Sequence, residues 1–550
     1  MGKGCYTESL TRPNASLRST GRCNAMKTNF ARLTAQVARC HGDRDALVNI
    51  ERGRRYTCRE LDLLSNRIVN MMRERLDLRR GDTSLCILEN DNLSLLHAWT
   101  ALKGDAAVAW TNFRDSLEEH LWQIDHLAPK VVFLENALIE RFHAPLRQRG
   151  IMIVCMDPPG ERLEGLHYFW SLLEGVPDTD PGIESDIYRD VLIYRFTGGT
   201  TGRGKCAQYT MDNWLACRDS FYAREEALFD HETRSLQMAP ISHGAGMGTL
   251  ATFFRGGCLV TQNVPDLRQW CRNIAAEKIT MSSLVPTLLY RLLEIEEVRN
   301  YDLSTLRTLF YGAAPMSAAK LRQLQERFGN IFVQVYGSTE AFQMVAMLMK
   351  DDHVCGPDGA PGHLASAGRI SPEVELIVVD DEGHELPAGQ TGEIWIRGRG
   401  IVSGYHRNPE VTAQEFCDGF WKSGDLGYRD DEGFLYIVDR KKDMIITGGF
   451  NVYAIEVENA INSHAEVVMS AVVGVPHPEW GEAVHAEVIR HAQATVSAEQ
   501  LMEHVKARIG KYKAPKSIVF VSELPLSPVQ KVLRRFVRDK YWKGQERRIG

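Results

Sequence analysis

Residues 190–205 read DVLIYRFTGGTTGRGK, an apolar run of strand type that opens directly onto glycines, threonines and a lysine. From Gly199 the letters spell G-x-x-x-x-G-K, the outline of a Walker A loop, but Cys206 stands where such a loop carries Ser or Thr. The Walker hydroxyl is a Mg2+ ligand, and a thiol serves that hard, oxygen-seeking ion poorly. The stretch is therefore either a nucleotide loop whose metal is held elsewhere or a Gly-rich turn. In an α/β sheet, a strand ending on such a loop is where a ligand is presented.

Working outward from it, the same alternation recurs. RELDLLSNRIVNMMRERL (59–76) repeats apolar residues at helical spacing, and TSLCIL (83–88), KVVFL (130–134) and IMIVCMD (151–157) read as buried strands. This predicts an α/β fold with a largely parallel sheet. Downstream, IFVQVYG (331–337) reads as a strand delivering Ser338, Thr339 and Glu340, and 374–398 as a hairpin in a smaller β unit. A boundary is placed where charges crowd between Asp439 and Asp443. Beyond it, 453–464 and 497–509 read as helices, the second with Ser497 as N-cap, 467–475 and 483–489 as strands, and 525–542 as a segment in which Lys531 starts a helix running to Trp542.

A chain of 550 residues calls for at least two folding units, and its 44% hydrophobic and 25% charged residues are ordinary for a globular protein. With 65 Lys plus Arg against 71 Asp plus Glu, nucleic acid is excluded as a main partner. The 12 cysteines form no C-x-x-C pair, which argues against a zinc site and a disulfide framework and for the cytoplasm. Neither a membrane span nor a secretory signal is present, residues 1–27 read as a flexible tail, and Met26 is a candidate start. Monomer or homodimer are the expected states.

Five separated segments, TGGTTGRGK, YGSTEA, SGDLG, DRKKDMIITGGFNVYAIEVE and SPVQKVLRR, occur in an order and approximate spacing that resemble the ANL adenylate-forming superfamily, most of all its acyl- or aryl-CoA synthetase branch. The resemblance implies a large N-terminal domain of mixed sheets flanked by helices plus a small β unit, residues 28–440, and a smaller mobile α+β C-terminal domain, residues 441–550. It implies an AMP-forming carboxylic acid–CoA ligase using ATP, Mg2+ and coenzyme A, with an adenylating enzyme that loads a carrier-protein thiol as the alternative. The chain's ending after Lys531, without a carrier-like module, favours CoA. A P-loop ATPase is opposed by Cys206 and by the lack of a Walker B strand.

By this resemblance Thr197, Gly198, Gly199, Thr200, Thr201, Gly202 and Lys205 would cradle the phosphates. Gly312, Ala313 and Ala314 would lie against adenine, with Tyr336, Gly337, Ser338 and Thr339 lining the nucleotide. Glu340, with Thr200, would hold Mg2+, although STEAF also suits a helix cap. Asp425 and Arg440 would hold ribose and phosphate, His243 would gate the acid, and Lys531 would bridge carboxylate and α-phosphate. Lys442 is the hinge and Gly449 borders the pantetheine tunnel. The family pattern usually has Ser at Gly198, Pro at Gly204, Gly at Cys206, Gly at Gln530 and Pro at Ala454. Gly204 is expected to loosen the loop and Ala454 to soften the next helix. The pocket segments 241–250, 311–315 and 336–344 bring no Arg or Lys, which favours a monoacid with a bulky apolar body, aromatic, alicyclic or fatty.

Overall fold

The computed structural model describes residues 26–157, 165–197, 203–224, 226–353 and 362–542. The expected phosphate contacts of Gly198, Gly199, Thr200, Thr201 and Gly202 lie outside the described residues.

The apolar runs form the strands they suggest. Thr83–Ile87, Ala107–Trp110, Val131–Leu134, Met152–Cys155, Leu166–Tyr168 and Val191–Phe196 are mutually parallel, and Cys206–Thr210 closes one edge antiparallel to Val191–Phe196. Their near-continuous Val, Ile and Leu content follows from burial on both faces. Along Val191–Phe196 the two-residue period sends Tyr194 and Phe196 into one cluster, with Cys206 and Leu134, and Ile193 into another, with Trp110, Trp214 and Phe342. The helix Cys58–Glu74 starts on a complete capping box of Thr57 and Glu60 and buries Leu61, Ile68 and Met72.

A second sheet of 14 strands has a parallel centre, Asp45–Asn49, Cys258–Thr261, Arg234–Gln237, Met281–Leu284, Thr308–Gly312 and Phe332–Tyr336, continued by antiparallel strands that end on Phe434–Arg440, Phe420–Arg429, Gly392–Arg397 and Glu375–Val379. The hairpin expected over 374–398 forms with a core of its own, Leu376, Val378, Ile394 and Ile396 clustering with Trp421 and Leu435, while Gly392–Arg397 pairs with Phe420–Arg429 and so joins it to the large sheet. Lys27–Thr28 pairs with Ser185–Asp186.

The smaller C-terminal domain holds the sheet of Phe450–Val452, Ile445–Thr447, Gly481–Arg490, Val467–His477 and Ser517–Phe520, covered by Ala454–Asn462 and Ala498–Ile509. Ser497 caps the latter in a capping box with Gln500. One core cluster crosses between the domains, joining Leu288, Leu292 and Leu321 to Met469, Val473, Leu524 and Val537. The helix expected from Lys531 to Trp542 is shorter, Arg534–Asp539. Lys531 instead sits in a turn in which Leu526 bridges Val532, because Ser527 and Lys531 exchange hydrogen bonds that a helix would not allow. Among the described residues, no helix is long and apolar enough to cross a membrane.

Candidate active site

Three strand ends and one turn converge. The strand Phe332–Tyr336 ends on Tyr336, whose hydroxyl donates to Asp425 Oδ2 at 2.8 Å. Asp425 faces Arg440 across two paired strands, with Arg440 Nε 3.3 Å from Asp425 Oδ1, and its own N–H is held by Ser423 Oγ. A carboxylate so fixed from behind still has lone pairs for further donors. Gly337 and Gly312 let backbone approach closely at this end: a Cβ on Gly337 would meet Gln343 O at 2.8 Å, and one on Gly312 would meet Val335 O at 2.2 Å. After Gly312, Ala313 is exposed and takes φ +63, followed by Ala314.

No helix follows Glu340. Ser338 Oγ accepts from the N–H groups of Glu340 and Ala341, making a tight turn, and the Tyr209 hydroxyl donates to Thr339 O. The Glu340 carboxylate is buried beside Tyr405, a hydrogen-bond partner that no sequence motif marks. Tyr405 Oη lies 2.9 Å from Glu340 Oε1 and 2.6 Å from Glu415 Oε2. Lys205 Nζ is 2.6 Å from Glu415 Oε2, 3.7 Å from Glu340 Oε1 and 4.5 Å above the Tyr405 ring. A phenol has one hydrogen, so it can satisfy only one of the two carboxylates at a time. The cluster therefore carries negative charge that Lys205 only partly balances, and its hard oxygens fit Mg2+.

Lys531 arrives from the other domain. Its turn is pinned to the large domain by the Thr287 hydroxyl donating to Gln530 O, Arg291 Nη1 to Gln530 Oε1 at 3.3 Å, and Arg114 Nη1 to Pro528 O at 3.4 Å. Burial first, then the positive charge of Arg440, lowers the Lys531 ammonium to about 8, with Asp425 opposing. His243 is lowered to about 3 by burial, Arg195 and Lys531, so its ring is neutral, with Nδ1 3.0 Å from Ser242 Oγ. The site thus brings together Lys205, Glu340, Thr339, Tyr336, Asp425, Arg440, His243 and Lys531. Lys442 is lowered by burial and by Arg440, with Lys205 and Asp425 also within its electrostatic reach. Gly449 stands apart: it takes φ +84 in the turn between Ile445–Thr447 and Phe450–Val452, with open space around it.

Residues 33–406 match the AMP-binding enzyme family, and residues 456–531 match the C-terminal domain of AMP-binding enzymes. The chain belongs to the AMP-binding enzyme family. It is 33% identical over 430 residues to a medium/long-chain-fatty-acid–CoA ligase of Mycobacterium tuberculosis, covering 77% of this chain and 73% of the relative. It is 32% identical over 435 residues to the indoleacetate–CoA ligase of Aromatoleum aromaticum, covering 78% and 82%. Among solved structures it resembles ATP-bound MatB from Rhodopseudomonas palustris, with a TM-score of 0.81 and 28% identity over 93% of this chain and 99% of that one.

Within this AMP-binding enzyme, the departures from the family pattern acquire physical reasons. A Cβ on Gly204 would lie 2.3 Å from Thr197 O, so only glycine lets Thr197 N–H reach Lys205 O at 2.8 Å and Lys205 N–H reach Thr197 Oγ1 at 3.0 Å. Cys206 is 1% exposed, points into the core beside Phe196 and has its thiol pushed up by burial, which makes it a packing residue. Gln530 takes φ +64, the left-handed conformation that glycine adopts most easily. Ala454 does not soften its helix, since its N–H, which proline lacks, donates to buried Asp439 Oδ2. Arg195, Tyr405 and Glu415 carried no motif. A charge inside the apolar run DVLIYRF was the one available signal for Arg195.

Proposed function

We propose that the protein is an ATP-dependent carboxylic acid–CoA ligase that activates an acid with a bulky apolar body as its acyl-adenylate, releases pyrophosphate, and then forms the acyl-CoA thioester. A free carboxylate resists thiols because oxide would have to leave. Attack of the carboxylate oxygen on the α-phosphorus of ATP, with pyrophosphate departing, makes that oxygen part of a phosphoester leaving group. The CoA thiol then replaces AMP.

The observation that supports this reading is the Lys531 turn of the small domain, held against the large one through Gln530 and Pro528, with Arg440 and Asp425 acting electrostatically on the Lys531 ammonium and that ammonium on His243. A lone ammonium so placed offsets charge building between acid and α-phosphate, a preorganised contribution of roughly a hundredfold to a thousandfold in rate. Asp425 would accept from the ribose hydroxyls, Tyr336 and Arg440 fixing its orientation. Neutral His243 would line the acid's entrance without adding a charge to repel Lys531. Lys205 would leave Glu415 for the phosphates as nucleotide enters. Glu340 and Thr200 would hold Mg2+, which when bound neutralises the phosphate oxygens. Small Gly244, with open space around its Cα, and Ala245 would leave room for a ring, whereas Gly246 is closely backed by Ile241 O and His97. Residues 441–550 would rotate about Lys442, withdrawing Lys531 and bringing Gly449 toward the pantetheine arm. Free cysteines, most of them buried, suit the cytoplasm.

Incubation with ATP, Mg2+ and a panel of benzoate-like, alicyclic and fatty acids, with and without CoA, tests this. AMP and pyrophosphate should appear in an acid-dependent way, and thioester when free CoA is added. ADP and phosphate would refute adenylation, and acyl transfer to a carrier protein but not to free CoA would replace the thiol named here.

A further inference from the structure

The strand Val191–Phe196 holds one charge, Arg195, and the strand's alternation turns it away from Tyr194 and Phe196 to the side of Ile193, level with Trp110 on the neighbouring strand. Arg195 is 4% exposed. Its Nε donates to Ser242 O at 3.0 Å, and its guanidinium carbon lies 4.8 Å from the Phe342 ring centroid and 5.7 Å from that of Tyr209. Among the described residues, no carboxylate pairs with it and no acceptor takes a hydrogen from Nη1 or Nη2. Two further donors in the same aromatic group, Trp110 Nε1 and Trp214 Nε1, are buried without an acceptor, Trp214 lying 4.5 Å from Phe342 and 5.5 Å from Trp110.

A buried arginine normally rests on a carboxylate, because its N–H groups lose water and need replacement acceptors. Ring faces attract the cation but accept no strong hydrogen bonds. This wall is therefore rich in donors and poor in acceptors. It also adjoins the acid entrance: Ser242, which holds Arg195 Nε, precedes His243, whose ring feels both Arg195 and Lys531.

We propose that Arg195 is a specificity residue of the acid pocket, and that the acid activated here carries an oxygen acceptor on its apolar body, a carbonyl, hydroxyl or second carboxylate, which Nη1 and Nη2 bind. This rests on the reading that the pocket takes a carboxylic acid. It replaces the expectation that no cation meets the substrate's body, because Arg195 comes from the strand Val191–Phe196 and not from the pocket segments 241–250, 311–315 and 336–344.

Matched acids test it: benzoate against its hydroxy and carboxy derivatives, and octanoate against 4-oxo-octanoate and octanedioate, with the wild type, Arg195→Met and Arg195→Lys. Two readouts are taken, the acid-induced shift in melting temperature and kcat/KM for pyrophosphate release. In the wild type at least one acceptor-bearing acid should stabilise more than its plain twin and exceed it about ten- to a hundredfold in kcat/KM, mainly through KM. The preference should vanish in Arg195→Met and survive in part in Arg195→Lys, and comparison of keto or hydroxy with carboxy acids shows whether the bound group is charged. Indifference of the wild type in every pair, or an unchanged preference in Arg195→Met, would overturn the proposal. If Arg195→Met does not fold, the wild-type pairs decide alone. A preference in melting shift without any pyrophosphate release would sink adenylation while leaving the pocket assignment standing.

Discussion

Lys531 has to remain protonated where burial and the Arg440 guanidinium both oppose its charge. Its ammonium is lowered to about 8, so the free enzyme should lose kcat/KM for adenylation as pH rises through about 8, where an ordinary lysine would hold its proton until about 10.4. His243, lowered to about 3, is already neutral throughout the working range and should add no limb near 6.5. A pH profile of pyrophosphate release checks both, and a basic limb at 10 or above would show that Lys531 does not sit in this environment. The same scale explains Gln530. Its left-handed backbone is held by Thr287 and Arg291 of the other domain, contacts that glycine's lack of a side chain would halve.

At the scale of elements, two substitutions probe how the strands and helices are tied. Gly204→Ala places a methyl against Thr197 O, and parting Thr197 from Lys205 should cost about 1–3 kcal/mol and weaken ATP binding, seen as a lower melting temperature and a higher KM for ATP. Unchanged values would show that Thr197 and Lys205 pair without glycine at this position. Ala454→Pro removes the N–H that holds Asp439, a carboxyl raised to about 6 by burial, and leaving that acceptor short should cost about 1–3 kcal/mol in denaturant unfolding, despite proline being the family's usual residue. A stabilised variant would refute the tie. Local elements were legible in the sequence because their signals are local: Ser497 as the N-cap of its helix, and the apolar runs of the parallel sheet. VLRRFVRD has helical periodicity, which carries the expected helix back to Lys531, while the bridge from Leu526 to Val532 that shortens the helix depends on the preceding chain. Glu415 was illegible for a stronger reason. It meets Lys205 across 210 positions and Glu340 through Tyr405, a pairing that exists only once two sheets have packed.

At the scale of the whole molecule, the two domains share one hydrophobic cluster, and the proposed mechanism gives them one reactive centre. Leu524 and Val537 flank the Lys531 turn and pack with Leu288 and Leu292, so the same contacts that dock the small domain aim its lysine. Five motifs in order identified the superfamily, but the contacts that dock the small domain, and the burial of Arg195 against Ser242, depend on residues far apart in sequence. Docking that serves the first half-reaction should be dispensable for the second. The most direct measurement is therefore Lys531→Ala assayed in both halves. Acid-dependent exchange of labelled pyrophosphate into ATP should fall by roughly a hundredfold to a thousandfold, while thioester formation from supplied acyl-adenylate and CoA stays near the wild-type rate. Equal loss in both halves, or full exchange without the lysine, would contradict the account.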